Sequence, residues 1–427
     1  METPIADFIK DYTDKAPVRL HMPGHKGDAA ILGAPNDITE VEGTSDLITE
    51  SEKNASLIFG CPTYYSAEGS SLCIRAMLSL LVKHTGCHTV VAARNCHQTF
   101  ISACALLDLD VIWLPNEWSL LSNGVDLPSL DKILSDNSAC CVYITSPDYL
   151  GFVNDISSIA SVCPSHDTYL AVDNAHGAYL KFFSQHPMDL GADICCDSAH
   201  KTLPVLTGGA YLHVSDELNK PDVKRELSLY ASTSPSWLIL ASLDRANAII
   251  SDPDFASGLK KIAAKVEDIR SSVRMKTYGN EYLKLTLVPN TYGYTGDEVA
   301  DILRSFGIEP EFSDVNYVTL MFSSFNSDKD FEVLTDALDS IKEREPLAVP
   351  TYTVPTPTKV KGIREAVFGK TEVIPVIESE GRVAGFVKTS CPPAVPIVIC
   401  GERITLDHIK ALKAYGFTTI EVCCDIE

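Results

Sequence analysis

The chain has no uninterrupted apolar run of the roughly 18 residues that a membrane-spanning helix needs. Its opening stretch, Met1 to Lys15, is polar and acidic and lacks the apolar centre of a secretory leader. Both absences point to the cytoplasm and away from a membrane. Positive charge is also scarce: 35 Lys and Arg stand against 57 Asp and Glu, a net charge of -22. That balance argues against a nucleic-acid surface and against an anionic membrane face. It favours a cationic small substrate only weakly and names no ligand. No two cysteines are spaced as C-x-x-C, although 14 are present. They are scattered, often inside apolar runs such as Cys140-Cys141 and Cys195-Cys196, so free core thiols are expected rather than disulfides or zinc ligands, and no metal site is expected.

At 427 residues the chain is too long for one growing core and calls for two or three domains. Short apolar runs read as strands at His88-Arg94, Val111-Leu114, Cys140-Thr145 and Tyr169-Val172. Helical periodicity lies between them, at Leu72-Val82 and from about Asn154 to Cys163. Strands alternating with helices at these intervals predict an α/β fold with a mostly parallel central sheet covered on both faces. Two strand ends stand out. Tyr169-Leu170-Ala171-Val172-Asp173 closes on a lone aspartate, and the apolar run Ala192-Cys196 leads into Asp197-Ser198-Ala199-His200-Lys201. An acid and a lysine delivered to one edge of such a sheet suit a protonated ring nitrogen and a Schiff base, the minimum equipment for pyridoxal phosphate. On spacing alone, the plainer reading of Lys201 is a strand end reaching solvent.

Six short motifs then fall in order along the chain. They are His21-Met22-Pro23-Gly24-His25-Lys26-Gly27, Arg94-Asn95-Cys96-His97, Val172-Asp173-Asn174-Ala175-His176-Gly177-Ala178, His200-Lys201-Thr202-Leu203-Pro204, Ser232-Thr233-Ser234-Pro235-Ser236, and Cys391-Pro392-Pro393-Ala394-Val395-Pro396 with Gly401-Glu402-Arg403-Ile404. Together they resemble the ornithine/lysine/arginine decarboxylase family, of the aspartate aminotransferase-like fold type I of pyridoxal-phosphate enzymes. The resemblance runs from residue 21 to about 404.

That resemblance implies a function and a site. It implies pyridoxal 5'-phosphate as cofactor and decarboxylation of a basic amino acid (lysine, ornithine or arginine) to its amine and carbon dioxide. Lys201 would form the Schiff base, Asp173 would pair with the ring nitrogen, and His97 would stack on the ring with Ala175 packed against the opposite face. Ser70, Ser71, Ser198 and His200 would contact the phosphate. Ser70 and Ser71 also have a reading of their own: a Gly-Ser-Ser turn feeding a helix offers N-H groups, hydroxyls and a positive dipole end, or simply an ordinary serine cap. Ser232 would reach the phosphate of a partner subunit, making the protein a homodimer with shared active sites. Glu402 would contact the substrate.

The chain also departs from the family pattern. Asn174 stands where glutamate is frequent, Tyr179 where histidine is common, and Glu68 where asparagine is usual, so the Glu68 carboxylate has to point away from a phosphate. Thr207-Gly208-Gly209-Ala210 lacks the usual glutamine, and Asp46-Leu47 runs straight into Ile48-Thr49-Glu50 where relatives have more residues. These departures motivate an alternative with the same cofactor: transamination, deamination or a side-chain lyase reaction. The expected division is an N-terminal arm with little apolar periodicity (1-30), a cofactor-binding major domain (31-240), a smaller α/β domain (241-345), and a linker with a C-terminal segment returning toward the active site (346-427). The N-terminal wing and longer tail of the larger relatives are missing from this reading, so high-order rings built through them are not expected.

Overall fold

The computed structural model describes every residue except 16, 18, 20, 24, 29, 31–35, 45, 116–120, 221, 349–357, 387, 388, 390–393 and 425–427. Gly24, Cys391, Pro392, Pro393 and most of the expected linker therefore lie outside the described residues. The central sheet has seven strands: β1 (Thr63–Ser66), β2 (Thr89–Ala92), β3 (Asp110–Trp113), β4 (Cys141–Thr145), β5 (Tyr169–Asp173), β6 (Ile194–Asp197) and β7 (Ala210–Val214). Their order is β1-β7-β6-β5-β4-β2-β3. The β2-β3, β2-β4 and β5-β6 pairs are parallel, while β7 runs antiparallel to both its neighbours. Strands β6 and β7 are buried at every position. Such unbroken burial is the mark of a sheet covered on both faces, and it is why these segments read as apolar runs rather than alternating ones.

The chain divides into two compact units, residues 1–86 with 169–257 and residues 87–168 with 258–427. In the first unit the helix Ser70–Thr85 buries Leu72, Cys73, Ile74, Ala76, Met77, Leu78, Leu80 and Leu81, and it stops at Gly86 in the left-handed conformation. The expected arm contains a helix, Pro4–Asp14, whose Ile5 and Ile9 are buried at one-turn spacing. Its start is held by Asp244, which accepts from the Ala6 N–H at 3.0 Å and from the Ser51 hydroxyl at 2.5 Å. The stretch that follows Ser236 forms two helices in succession, Trp237–Ile250 and Pro253–Ser272. Pro253 explains the break, because it has no N–H to continue a ladder but suits a first turn.

In the second unit a four-stranded antiparallel sheet, in the order β10-β11-β9-β8, is built from β8 (Lys276–Tyr278), β9 (Lys284–Val288), β10 (Phe312–Ser313) and β11 (Val318–Met321). The helices Gly296–Ser305 and Asp328–Ser340 accompany it, each opened by a capping box, Thr295 with Glu298 and Ser327 with Asp330. Strands β12 (Thr371–Pro375) and β13 (Thr419–Cys423) pair antiparallel near the C-terminus. Thirteen cysteines fall among the described residues, and all are free thiols.

Candidate active site

In the first unit, β5 and β6 run parallel with Asp173 opposite Cys196, so the acid and the residues after Asp197 emerge at the same carboxyl edge. Asp173 is buried, and its Oδ1 accepts from the Ala175 N–H at 3.2 Å and from the Cys196 thiol at 3.7 Å. Beyond β6 the short helix Ala199–Thr202 carries Lys201. Its Nζ lies 3.0 Å from Nε2 of His176, a buried side chain on the loop after β5. A lysine ammonium only donates, so His176 accepts at Nε2 while Lys201 is charged. Sequence reasoning quoted His176 inside a motif but gave it no part. The signal was its place, three residues beyond the strand-ending acid.

The turn before the helix Ser70–Thr85 is shaped by backbone contacts. Gly69 (φ +74) donates its N–H to the Gly208 carbonyl at 2.7 Å, and the Ser66 hydroxyl donates to the Gly69 carbonyl at 2.9 Å. No side chain caps the helix start, and the Ser198 hydroxyl donates to that of Ser70 at 2.8 Å, with Ser71 next in the same first turn. Gly208 explains one departure from the family pattern: its φ is +100, and a Cβ there would stand 3.2 Å from the Ala67 carbonyl oxygen. Glycine lets the two turns meet backbone to backbone. His200 reaches the Gly209 carbonyl through both its backbone N–H and its Nδ1, at 3.1 and 3.0 Å. Burial holds the ring below its ordinary pKa; the Gly209 contact opposes this and the neighbouring Lys201 adds to it. The Glu68 Oε1 accepts from the Ser232 N–H at 2.6 Å. Ser232 is exposed, and its Oγ accepts from the Ser234 N–H at 3.1 Å.

In the second unit, His97 is the N-cap of the helix Gln98–Leu107, its Nδ1 accepting from the Thr99 N–H at 3.2 Å. That contact fixes the ring and directs the proton of a neutral imidazole to Nε2. The C-terminal segment comes back to this stretch twice. Ala394 accepts from the Gln98 N–H at 2.9 Å, and Glu402 grips Arg94 with both oxygens, at 2.5 Å to Nη1 and 2.6 Å to Nη2. One Glu402 oxygen also accepts from the Ile399 N–H at 2.9 Å, and the two side chains are only 3% and 4% exposed. Glu402, expected to touch substrate, thus spends its carboxylate on a buried bidentate pair. The turn into it needs Gly401, at φ +89, where a Cβ would stand 2.4 Å from the Lys361 carbonyl oxygen.

The expected residues therefore gather in two places. Lys201, Asp173, Ala175, Ser70, Ser71, Ser198, His200 and Ser232 belong to the first unit, while His97 and Glu402 meet the Arg94-His97 stretch of the second. The mostly parallel seven-stranded sheet is that of the pyridoxal-phosphate enzymes of fold type I. The Francisella novicida lysine decarboxylase superposes with a TM-score of 0.80 at 16% identity, covering 98% of this chain and 79% of that one. The constitutive lysine decarboxylase of E. coli superposes with a TM-score of 0.79 at 15% identity, covering 99% and 82%. The family described as Orn/Lys/Arg decarboxylase matches through its major domain at residues 3–289 and through its C-terminal domain at 348–418. An arginine decarboxylase of Bacillus subtilis (strain 168) is 30% identical over 96% of this chain and 92% of its own, and one from Halalkalibacterium halodurans is 27% identical over 96% and 93%. The chain belongs to the Orn/Lys/Arg decarboxylase family.

Proposed function

We propose that this protein uses pyridoxal phosphate to decarboxylate a basic amino acid, with arginine the first candidate because the sequence relatives above bear that name. The observation that carries the reading is the Lys201–His176 contact of 3.0 Å at the edge where β5 delivers Asp173. The residues fit the cofactor. A glycine-opened helix start without a side-chain cap, flanked by the hydroxyls of Ser70, Ser71 and Ser198, suits a phosphate dianion. His200 joins that contact, since an anion beside it would favour the proton that burial now keeps off. Asp173 offers a buried carboxylate to a ring nitrogen and Ala175 a methyl to a ring face. When bound, the cofactor supplies an electron sink for the pair left on Cα as carbon dioxide departs. Asp173 strengthens that sink by keeping the ring nitrogen protonated. Lys201 and His176 hold one transferable proton between Nζ and Nε2, and that proton replaces the lost carboxylate on Cα.

The arrangement into arm (1–30), major domain (31–240), small domain (241–345) and C-terminal segment (346–427) belongs to the same proposal, and a second family match that opens at residue 348 supports its last boundary. So does a cytoplasmic home, and so does a homodimer in which Ser232 reaches the partner's phosphate. Among the described residues no helix is long and apolar enough to cross a membrane. The shared site is tested by mixing Lys201→Ala with Ser232→Glu chains. If neither parent is active, about half of the dimers are hybrids carrying one intact site, and activity should recover to about a quarter of wild type. Verified hybrids without recovery would return Ser232 to a purely intrachain role beside Glu68. The function itself is tested by carbon dioxide release with stoichiometric amine from arginine, lysine or ornithine, together with borohydride fixation of the cofactor on the Lys201 peptide. Labelling of a different lysine, or keto-acid formation without carbon dioxide, would sink the reading.

A further inference from the structure

Asp197, the last residue of β6, has no part in the chemistry above, yet it sits at the centre of a fully buried polar cluster. Its Oδ1 accepts from Asn174 Nδ2 at 2.6 Å, and its Oδ2 accepts from Nε2 of His186 and of His213, both at 3.1 Å. All four side chains belong to the first unit and are wholly buried. The placement matters. Asn174 follows Asp173 directly and also donates its backbone N–H to the Cys196 carbonyl at 3.0 Å. His213 lies on β7 opposite Cys195, and Lys201 follows Asp197 within the next helical turn.

The proton positions follow from the contacts. The Met188 N–H donates to His186 Nδ1 at 3.4 Å, so His186 carries its proton on Nε2, pointed at Asp197. His213 Nδ1 meets the Thr63 hydroxyl at 2.9 Å, and that hydroxyl also reaches the Cys61 carbonyl at 3.0 Å. Whichever way the hydroxyl turns, His213 Nε2 keeps a proton because it faces a carboxylate oxygen. Asp197 thus receives three donors. Burial alone would raise its pKa, but the hydrogen bonds and electrostatic attraction of the His186 and His213 N–H groups hold it below the usual carboxylate range, while burial lowers the pKa of His213 itself. The other groups facing it are the thiols of Cys61, Cys73, Cys195 and Cys196 and the phenol of Tyr211, all pushed up by burial, with Asp173 on the next strand. His186, Cys195, Asp197 and His213 are close enough together to suggest a metal site. The Nε2 protons, however, occupy the directions a metal would need, and a metal on His186 would strip the ring of the lone pair that Met188 uses.

We propose that Asp197 is a positioning residue: gripping Asn174, it fastens the end of β5 to the end of β6 and so sets Asp173 and Lys201 relative to each other. This rests on the function proposed above. Its fixed negative charge also favours a proton on the nitrogen that Lys201 contributes.

Asp197→Asn keeps the shape and leaves an oxygen to accept from Asn174, but it removes the charge and sets an amide N–H donor against the Nε2 protons of His186 and His213. In the purified protein loaded with pyridoxal phosphate, kcat should fall about tenfold or more while KM moves less than about threefold. The pH midpoint of the bound cofactor's visible absorbance should drop by about half a unit or more, because a buried negative charge near a cation has been lost. Asn174→Ala, which keeps the carboxylate and removes the grip, should lower kcat with the midpoint held, and it carries the test if Asp197→Asn does not fold. Wild-type kcat and midpoint in Asp197→Asn, or wild-type kcat in Asn174→Ala, would overturn the proposal. So would a stoichiometric metal in the purified protein. A wild-type protein that takes up no cofactor and releases no carbon dioxide would instead defeat the functional reading. A wild type that does both, beside an unchanged Asp197→Asn, would defeat this inference alone.

Discussion

Replacing Glu402 by glutamine should cost the protein stability before it costs substrate affinity. Glu402 binds Arg94 through two hydrogen bonds of 2.5 and 2.6 Å, and neither side chain is more than 4% exposed. Glutamine keeps the shape but presents one carbonyl oxygen and one amide nitrogen. One Arg94 N–H would then face another donor, and the remaining bond would lose its charge assistance. Removing one partner of a buried ion pair leaves an uncompensated charge, typically a loss of 3–5 kcal/mol. Because the glutamine can still accept one bond, about 3 kcal/mol is expected, roughly a hundredfold in the folded-to-unfolded ratio. Arg94 also lies over the Trp113 ring at 5.0 Å, so it keeps some favourable surroundings when the carboxylate is gone. The assay is urea denaturation of wild type, Glu402→Gln, Arg94→Met and the double variant, with the unfolding of each unit followed separately. The double variant should be less damaged than the sum of the singles, because no buried charge is left alone. Under folding conditions the KM of Glu402→Gln should stay within about threefold of wild type. A KM rise of tenfold or more with unchanged stability would refute the reasoning and restore Glu402 as a substrate contact.

Three further outcomes are expected. Burial pushes the Asp148 carboxyl up to about 6 against the opposing pull of Ser122, Phe152 and Lys284, so the folded state binds more protons than the unfolded chain between the ordinary value of 3.8 and about 6. Its contribution to stability therefore falls as pH rises through that window, by roughly 3 kcal/mol, and Asp148→Asn should flatten this segment of a stability–pH profile; an identical slope would show that Asp148 is not the group responsible. Gly208→Ala places a Cβ 3.1 Å from Ile239 Cδ1 and 3.2 Å from the Ala67 carbonyl oxygen at φ +100. It should weaken cofactor binding by about 1–3 kcal/mol, read by equilibrium dialysis, and unchanged affinity would show that the turn does not support the Gly69-Ser71 loop. His176→Ala should lower turnover by about a hundredfold or more while borohydride still fixes the cofactor on the Lys201 peptide, and undiminished turnover would remove His176 from the proton-holding pair.

Apolar runs, their spacing and the order of short motifs determined the parallel sheet, the candidate acid at the end of β5 and the candidate lysine after β6, because a strand buried on both faces leaves a continuous apolar record. The same reasoning missed β1, whose four residues Thr63–Ser66 contain no aliphatic side chain, and β7, which runs antiparallel to both its neighbours. Strand direction is set by the connection and the neighbours, and a run such as Ala210-Val214 reads alike either way. It also missed the Pro4–Asp14 helix, because two isoleucines one turn apart are too short a pattern to separate from chance.

Among the candidate site residues, strand ends were legible and partnerships were not. Glu402 and Arg94 stand 308 residues apart, and nothing near either in sequence shows that the two close on each other. His176 looked like motif filler until the loop after β5 set it 3.0 Å from Lys201. Asp197 read as one more polar residue at a strand end, whereas the structure surrounds it with donors from β7, from the loop after β5 and from the residue before Pro187. The sequence alone determined which residue types reach the carboxyl edge of the sheet, since that follows from the local period of each strand. Only the tertiary structure decided which of them are paired, because a hydrogen bond depends on placing two atoms to within a few tenths of an ångström, and that placement is made by every element packed behind them.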